Sequence, residues 1–322
     1  MARVAVIGAG TMGHALALVF ALGGHDVQLT DSNPVALERA QLLMETALGT
    51  LVKFGEVPPE RTPSWLQSAV SRRESLAETV AHAELVIEAI VERPDAKQAL
   101  YAELDKIAPA EAIWASNTSY LDVFPLIPES RQRRALIAHW YTPPYLVDLC
   151  DLVPTPSCDP AVVQQVRDMV AAMGKVPIVM RKFVPGYVAN RVQAAVQGEV
   201  LKLLDEGVGT ASEIDAAIIH GIALRLPILG ILAKADFSGL QVGYDASRSG
   251  AGGASHGAGR KVIAELVESG KTGVLSGAGF YDWSGHTPAE WFQDRDRRLI
   301  ELKRAFKKVG SLAGFQEAGE LG

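Results

Sequence analysis

Apolar and polar positions follow two rhythms along this chain. In the first half, short apolar runs at residues 3–7, 27–30, 85–90, 112–115, 134–138 and 149–153 have the length and composition of buried strands. Helical patterns separate them, beginning with the small-residue stretch 13–22, whose alanines and leucines suit close packing on a sheet. Asn33 and Pro34 open the next helix, with Pro34 in the first turn, where a missing N–H does no harm. Alternation of this kind predicts βαβ units and a mostly parallel sheet, an α/β fold. Residues 56–64, with three prolines, read as a surface connection. After "KVPIVMR" the rhythm changes: from Pro185 onward it is helical, as in 188–204 and 214–220. The change predicts two domains, 1–184 and 185–322, the second all-helical. Residues 243–259, rich in Gly, Ser and Ala, read as a mobile loop.

Composition narrows the partners. A chain of 322 residues suits two cores, and 48% hydrophobic residues is ordinary for a globular protein. The net charge of -6, without a basic stripe, argues against nucleic acid. Cys150 and Cys158 form neither a disulfide framework nor a zinc signature, and none of the seven histidines pairs at i,i+4 spacing, so no metal is expected. The chain starts directly on strand-like "RVAVIG", leaving no room for a signal peptide, and no apolar run is long enough to span a bilayer. A cytoplasmic protein with no membrane contact is the expectation.

The first candidate site is "VAVIGAGTMGHALALVF": a strand, then Gly8-x-Gly10-x-x-Gly13, then a helix. Gly8 permits a tight turn, Gly10 lets the backbone approach a pyrophosphate, and Gly13 lets helix and strand pack closely. Thr11 and Met12 complete the turn, and the N–H groups at the helix start would face the phosphates. Asp31, at the end of the second strand, can bind both ribose hydroxyls of NAD and would repel the extra phosphate of NADP. The expected cofactor is NAD.

The second is "AHWYTPPYLVDLCD", where an apolar strand runs into His139 and acids follow at Asp148 and Asp151. A histidine there is open to three readings: packing, metal ligation or proton transfer. Beside a nicotinamide, a group of near-neutral pKa can take a proton from an alcohol as hydride leaves, and a carboxylate would steady the imidazolium. Asp151, on the next strand, can reach His139 in a hairpin-like return.

Taken with "SNTSYLDV" upstream and "VPGYVANRVQAAV" downstream, this stretch resembles the 3-hydroxyacyl-CoA dehydrogenase family, most of all its lambda-crystallin or gulonate 3-dehydrogenase and carnitine dehydrogenase branches. The likeness runs from the first strand to "GAGFYDW", ending at Trp283. It implies a Rossmann-type doubly wound domain followed by an all-helical domain that forms a homodimer. It also implies roles: His139 as catalytic base, Asp151 as its paired acid, Ser119 touching substrate and cofactor, Asn190 holding the reacting oxygen, and Glu92 and Lys97 near the nicotinamide ribose. As residues alone, Ser119 could cap a helix, Asn190 could be an ordinary helix amide, Asp151 a strand-end charge, and Glu92–Lys97 a solvated pair.

The sequence departs from the family in four places. Thr142 stands where "HFFNP" has asparagine, and Asp151 where the family has glutamate. Leu275 occupies a position where lysine is common, with Lys271 four residues earlier. The helical arm after the second strand offers only Lys53 to the phosphates of CoA. Arg225, in "GIALRLPILG", suits a free carboxylate, although a helix-end surface arginine is the plain alternative. The expectation is therefore an NAD-dependent dehydrogenase interconverting a secondary alcohol and a ketone, a 3-hydroxy acid or related small molecule rather than a CoA thioester. An L-3-hydroxyacyl-CoA dehydrogenase, and an NAD-binding protein with a structural or sensing role, are the alternatives.

Overall fold

The computed structural model describes residues 1–249 and 260–310. The chain divides into two compact units, Met1–Ala194 and Ala195–Gly322. The helical rhythm starts before this division because the turn at 186–187 is tied to the first unit. There the Gly186 N–H donates to Ser119 O at 3.0 Å and the Tyr187 hydroxyl to Thr118 O at 2.5 Å.

The first unit holds one eight-stranded sheet: β1 (Arg3–Ile7), β2 (Asp26–Thr30), β3 (Val70–Arg73), β4 (Leu85–Glu88), β5 (Ile113–Ser116), β6 (Ala135–Trp140), β7 (Leu149–Pro154) and β8 (Val176–Val179). Their order is β3-β2-β1-β4-β5-β6-β7-β8. Every neighbouring pair is parallel except β6 and β7, which run antiparallel. The helices are α1 (Gly13–Leu22), α2 (Pro34–Lys53), α3 (Pro63–Ala69), α4 (Leu76–Val80), α5 (Pro94–Ile107) and α6 (Pro160–Ala172). Asn33 caps α2, its side chain accepting from the Val35 N–H at 3.0 Å, with Pro34 next in line.

The apolar strands are buried on both faces, as a parallel sheet covered by helices requires. In β1, Val4 and Val6 join a core with Leu16, Phe20, Leu29 and Met44, while Ala5 and Ile7 point the other way toward Val86, Tyr101 and Trp114. Helix α1 is buried almost all round, which explains its lack of a polar stripe. Two strands lie outside the predicted apolar runs. β3 reads VSRR and borrows its place from β2, and β8 lies within "KVPIVMR" as an edge strand, where Pro177 is tolerated.

The second unit takes in the rest of α7 (Ala189–Asp205), then α8 (Ala211–Ala217), a π-helical segment Ile218–Ala223, α9 (Leu226–Leu229), α10 (Leu232–Ser238), α11 (Leu240–Ser249), α12 (Arg260–Glu268) and α13 (Pro288–Val309). The expected loop at 243–259 is corrected in part: residues up to 249 belong to α11, and the remainder lies outside the described residues. Gly243 falls inside that helix, where glycine is unfavourable but tolerated. The "GAGFYDW" motif folds around Asp236, whose buried carboxylate accepts from Phe280 N–H at 3.0 Å, Tyr281 N–H at 3.1 Å and Trp283 Nε1 at 2.9 Å. A Cβ on Gly279 would sit 2.2 Å from that carboxylate, so only glycine fits. Among the described residues no single helix is long and apolar enough to cross a membrane.

Candidate active site

The chain order reverses between β1 and β4, so a crevice opens beyond their carboxyl ends. A cleft of about 570 Å³ lies there, lined by Gly8, Gly10, Asp31, Ala89 and Ile90 among others. Gly8 has φ of +98°, and a Cβ there would come within 2.5 Å of Ala89 O. At Gly13 a Cβ would meet Gly8 O at 1.6 Å, the close helix–strand approach that the sequence predicts. Gly10 differs: a Cβ would meet nothing within 4 Å, so no protein atom crowds that side of the turn. No side chain caps α1 at Met12, which leaves its first N–H groups free for an anion. Asp31 sits at the mouth, with Oδ2 accepting from Ala9 N–H at 2.6 Å and Oδ1 from Asn33 N–H at 2.8 Å. These features fit a dinucleotide: open backbone for the pyrophosphate and a fixed carboxylate for the ribose.

Lys97 and Glu92 are not a solvated pair. Lys97 is 1% exposed, and its ammonium donates to Glu88 Oε1 at 2.6 Å and lies 3.4 Å from Glu92 Oε2. Glu88, the last residue of β4, also accepts from Tyr101 OH at 2.7 Å, Ser116 Oγ at 2.6 Å and Ile90 N–H at 2.9 Å. Glu92 Oε1 gathers the next loop, accepting from Thr118 Oγ1 at 2.5 Å and from the N–H groups of Ser119 at 2.8 Å and Tyr120 at 3.0 Å. Burial works against the charge of Glu92, but Thr118, the Tyr120 amide, the Lys97 ammonium and the Ser119 amide outweigh it and hold the carboxyl below the usual range. Glu92 thus carries Ser119 into the site.

His139 lies on β6, one residue before its end, on the same face as Ile137 and 3% exposed. It is the register partner of Asp151 on β7. Ser119 Oγ is 3.3 Å from His139 Nε2. On the other side of the ring, Nδ1 is 3.6 Å from Asp151 Oδ2 and has no hydrogen-bond partner among the described residues. Tyr141 and Tyr187 flank the imidazole, each with its ring centroid 4.5 Å away. Tyr187 is wholly buried with φ of +50°, a left-handed conformation that a bulky residue rarely adopts. The Tyr141 hydroxyl donates to Asp151 Oδ2 at 2.6 Å. Burial first, then the Asp151 carboxylate, push the Tyr141 phenol well above its ordinary value.

Three of the remaining expected residues lie in the first unit and two in the second. Asn190 is the second residue of α7, half-exposed, and its backbone amide faces the Tyr141 hydroxyl together with that of Ala189. Thr142 is exposed, and its hydroxyl donates to Met12 Sδ at 3.0 Å, which joins this loop to the glycine-rich turn. Asp148 is apart, paired with Lys175 at 3.0 Å. Arg225 belongs to the second unit, where its Nε donates to Gly221 O at 2.8 Å, and Leu275 is 76% exposed there. Glu88, Thr118, Tyr141 and Tyr187 escaped the sequence reading. A lone acid closing the apolar run "LVIE" was the available signal for Glu88, whereas tyrosines beside a strand look like packing.

Residues 3–183 match the family described as 3-hydroxyacyl-CoA dehydrogenase, NAD binding domain, and residues 186–283 match 3-hydroxyacyl-CoA dehydrogenase, C-terminal domain. A 5-formyl-3-hydroxy-2-methylpyridine 4-carboxylate 5-dehydrogenase of Mesorhizobium japonicum is 28% identical over 94% of this chain and 97% of its own. An L-carnitine dehydrogenase of Nocardiopsis dassonvillei is 30% identical over 98% of this chain and 95% of its own. Among solved structures, a 3-hydroxyacyl-CoA dehydrogenase from Archaeoglobus fulgidus superposes with a TM-score of 0.79 at 27% identity, covering 95% of this chain and 99% of that one. The chain belongs to the 3-hydroxyacyl-CoA dehydrogenase family and is an NAD-dependent dehydrogenase of it.

Proposed function

We propose that this dehydrogenase interconverts a secondary alcohol and its ketone with His139 as general acid and base, and that its substrate is a 3-hydroxy acid or related small molecule rather than a CoA thioester. The observation that carries the chemistry is the 3.3 Å contact between Ser119 Oγ and His139 Nε2. A substrate oxygen that bonds both groups sits where a proton can pass to Nε2. Gly8, Gly10, Thr11, Met12, Gly13 and Asp31 would hold NAD, which would supply the hydride acceptor or donor. In oxidation His139 takes the hydroxyl proton, Ser119 and Asn190 orient the oxygen, and Asp151 balances the imidazolium charge. In reduction His139 returns the proton. Glu92 and Lys97 steady the loop on which Ser119 rides.

Two facts favour a substrate without CoA. Lys53 is the single lysine on α2, where a CoA phosphate would need several, and two relatives spanning most of the chain are named for substrates other than acyl-CoA. Thr142 and Arg225 are the substrate-side residues in this reading. Cys150 and Cys158 are both free thiols, in keeping with a reducing cytoplasm. Apolar side chains left exposed in the second unit, among them Val208, Ile231 and Leu232, support a homodimer through that unit.

Replacing His139 by Gln should lower turnover by about 10²–10⁴-fold while NAD binding survives; unchanged turnover would remove the central claim. Parallel kinetics on 3-hydroxybutyryl-CoA and on free 3-hydroxy acids decide the substrate class, and a strong preference for the thioester would reverse it.

A further inference from the structure

Tyr141 stands one residue beyond β6 and bonds the same oxygen that should support the base. Its hydroxyl donates to Asp151 Oδ2 at 2.6 Å, while His139 Nδ1 is held 3.6 Å from that oxygen, outside hydrogen-bond range. Nδ1 is nevertheless buried and unpartnered among the described residues. Short O–H···O⁻ bonds are strong, so the phenol draws the carboxylate and part of its charge toward itself. We propose that Tyr141 is a positioning residue for the acid–base pair: by holding Asp151 Oδ2 off His139 Nδ1 it sets the pH range over which the imidazole takes and returns its proton.

The inference rests on His139 as the proton carrier. Other groups share the surroundings. Ser119 faces Nε2. Cys150 adjoins Asp151, and its thiol is pushed up by burial and by that carboxylate. Tyr187 packs on the ring, raised by burial and then by Glu92, Asp151, Tyr141 and Asp122. Ser119 and Cys150 keep their contacts when the Tyr141 hydroxyl alone is removed, and Tyr187 loses one of the four charged or ionisable neighbours that raise it.

Tyr141→Phe keeps the ring and deletes the hydroxyl, so the full charge of Asp151 faces the imidazole and favours its protonated form. The histidine titration should then move up by about one pH unit. In oxidation the acid limb of kcat/KM moves to higher pH, since the base must be neutral, and in reduction the alkaline limb moves up as well. The titration is read by NMR of the free enzyme, with the His139 signal identified by its loss in H139Q. Profiles of kcat/KM follow on 3-hydroxybutyryl-CoA and free 3-hydroxybutyrate, whichever is turned over. Tyr141→Leu lacks the same hydroxyl and should show the same shift even with poorer packing. A titration in Y141F that stays at the wild-type position, or a shift in Y141L alone, would overturn the proposal. Retained turnover in H139Q would instead sink the general-base reading beneath it, which keeps the two failures distinct.

Discussion

Glu88 and Lys97 meet with their charges 2.6 Å apart and both side chains sealed from water, 3% and 1% exposed, at the joint where β4 passes into α5. A buried pair of this kind survives because the carboxylate also collects Tyr101, Ser116 and a backbone amide. Lys97→Met would leave that carboxylate buried without its cation and should lower the unfolding free energy by about 3–5 kcal/mol. Urea denaturation measures the loss, and K97M with E88Q should regain part of it. If Lys97 served chiefly as a cofactor contact, NAD affinity would fall while the unfolding midpoint stayed in place.

The three glycines of the phosphate turn separate by what surrounds them. Gly13→Ala drives a methyl into Gly8 O and should destabilise the fold by about 1–3 kcal/mol or more. Gly10→Ala meets no protein atom, so its melting temperature should match the wild type while NAD binding weakens. Thermal melts with and without NAD distinguish the two effects. Equal NAD affinity in G10A would show that no phosphate approaches that backbone.

Asp31→Asn keeps the shape and can still accept from the Ala9 amide, but it loses the charge and the bond from the Asn33 N–H. Hydrogen bonds to charged groups are worth about 1.5–3 kcal/mol, so NAD should bind roughly 10- to 100-fold more weakly. NADP, no longer repelled, should lose little or gain. The ratio of the two dissociation constants is the readout, and a constant ratio would remove Asp31 from the ribose site.

Glu92 carries the pH dependence of the loop at 118–121. Its carboxyl is held below the usual range in the folded chain, so its contribution to stability is present above the ordinary carboxylate value, about 4.3. That contribution is lost as pH falls through the lowered folded value. Melting temperature should therefore drop on acidification below about pH 5, and E92Q should flatten part of that decline. A wild-type-like acid limb in E92Q would assign the loss to other carboxylates.

Much of this architecture is legible in the chain. Six of the eight strands announce themselves as apolar runs, because strands buried on both faces admit only the few polar residues that find partners. β3 reads VSRR and β8 is a short VPIV broken by a proline, and both are edge strands whose place is set by the neighbour that pairs with them. The pairing of His139 with Asp151 is readable because a short return brings successive strands together. The part played by Tyr141 is not, since nothing in "HWYTPP" says which way a phenol will turn. Glu88 is hidden for a related reason: a carboxylate at the end of an apolar strand looks like a solvent-facing terminus until α5 brings Lys97 and Tyr101 over it.

The lone antiparallel step in the sheet has an evolutionary reading. His139 and Asp151 are opposed by the ladder between β6 and β7, not by the length of the segment 141–148 that joins them. Insertions or rewrites within that connector would leave the two residues facing one another, because slipping the register by one residue would move every buried side chain of the slipped strand to the opposite face of the sheet. Tyr141 and Thr142 ride on the connector. A lineage built on this scaffold can therefore rewrite one short loop, Tyr141 and Thr142 included, while His139 and Asp151 stay where the backbone put them.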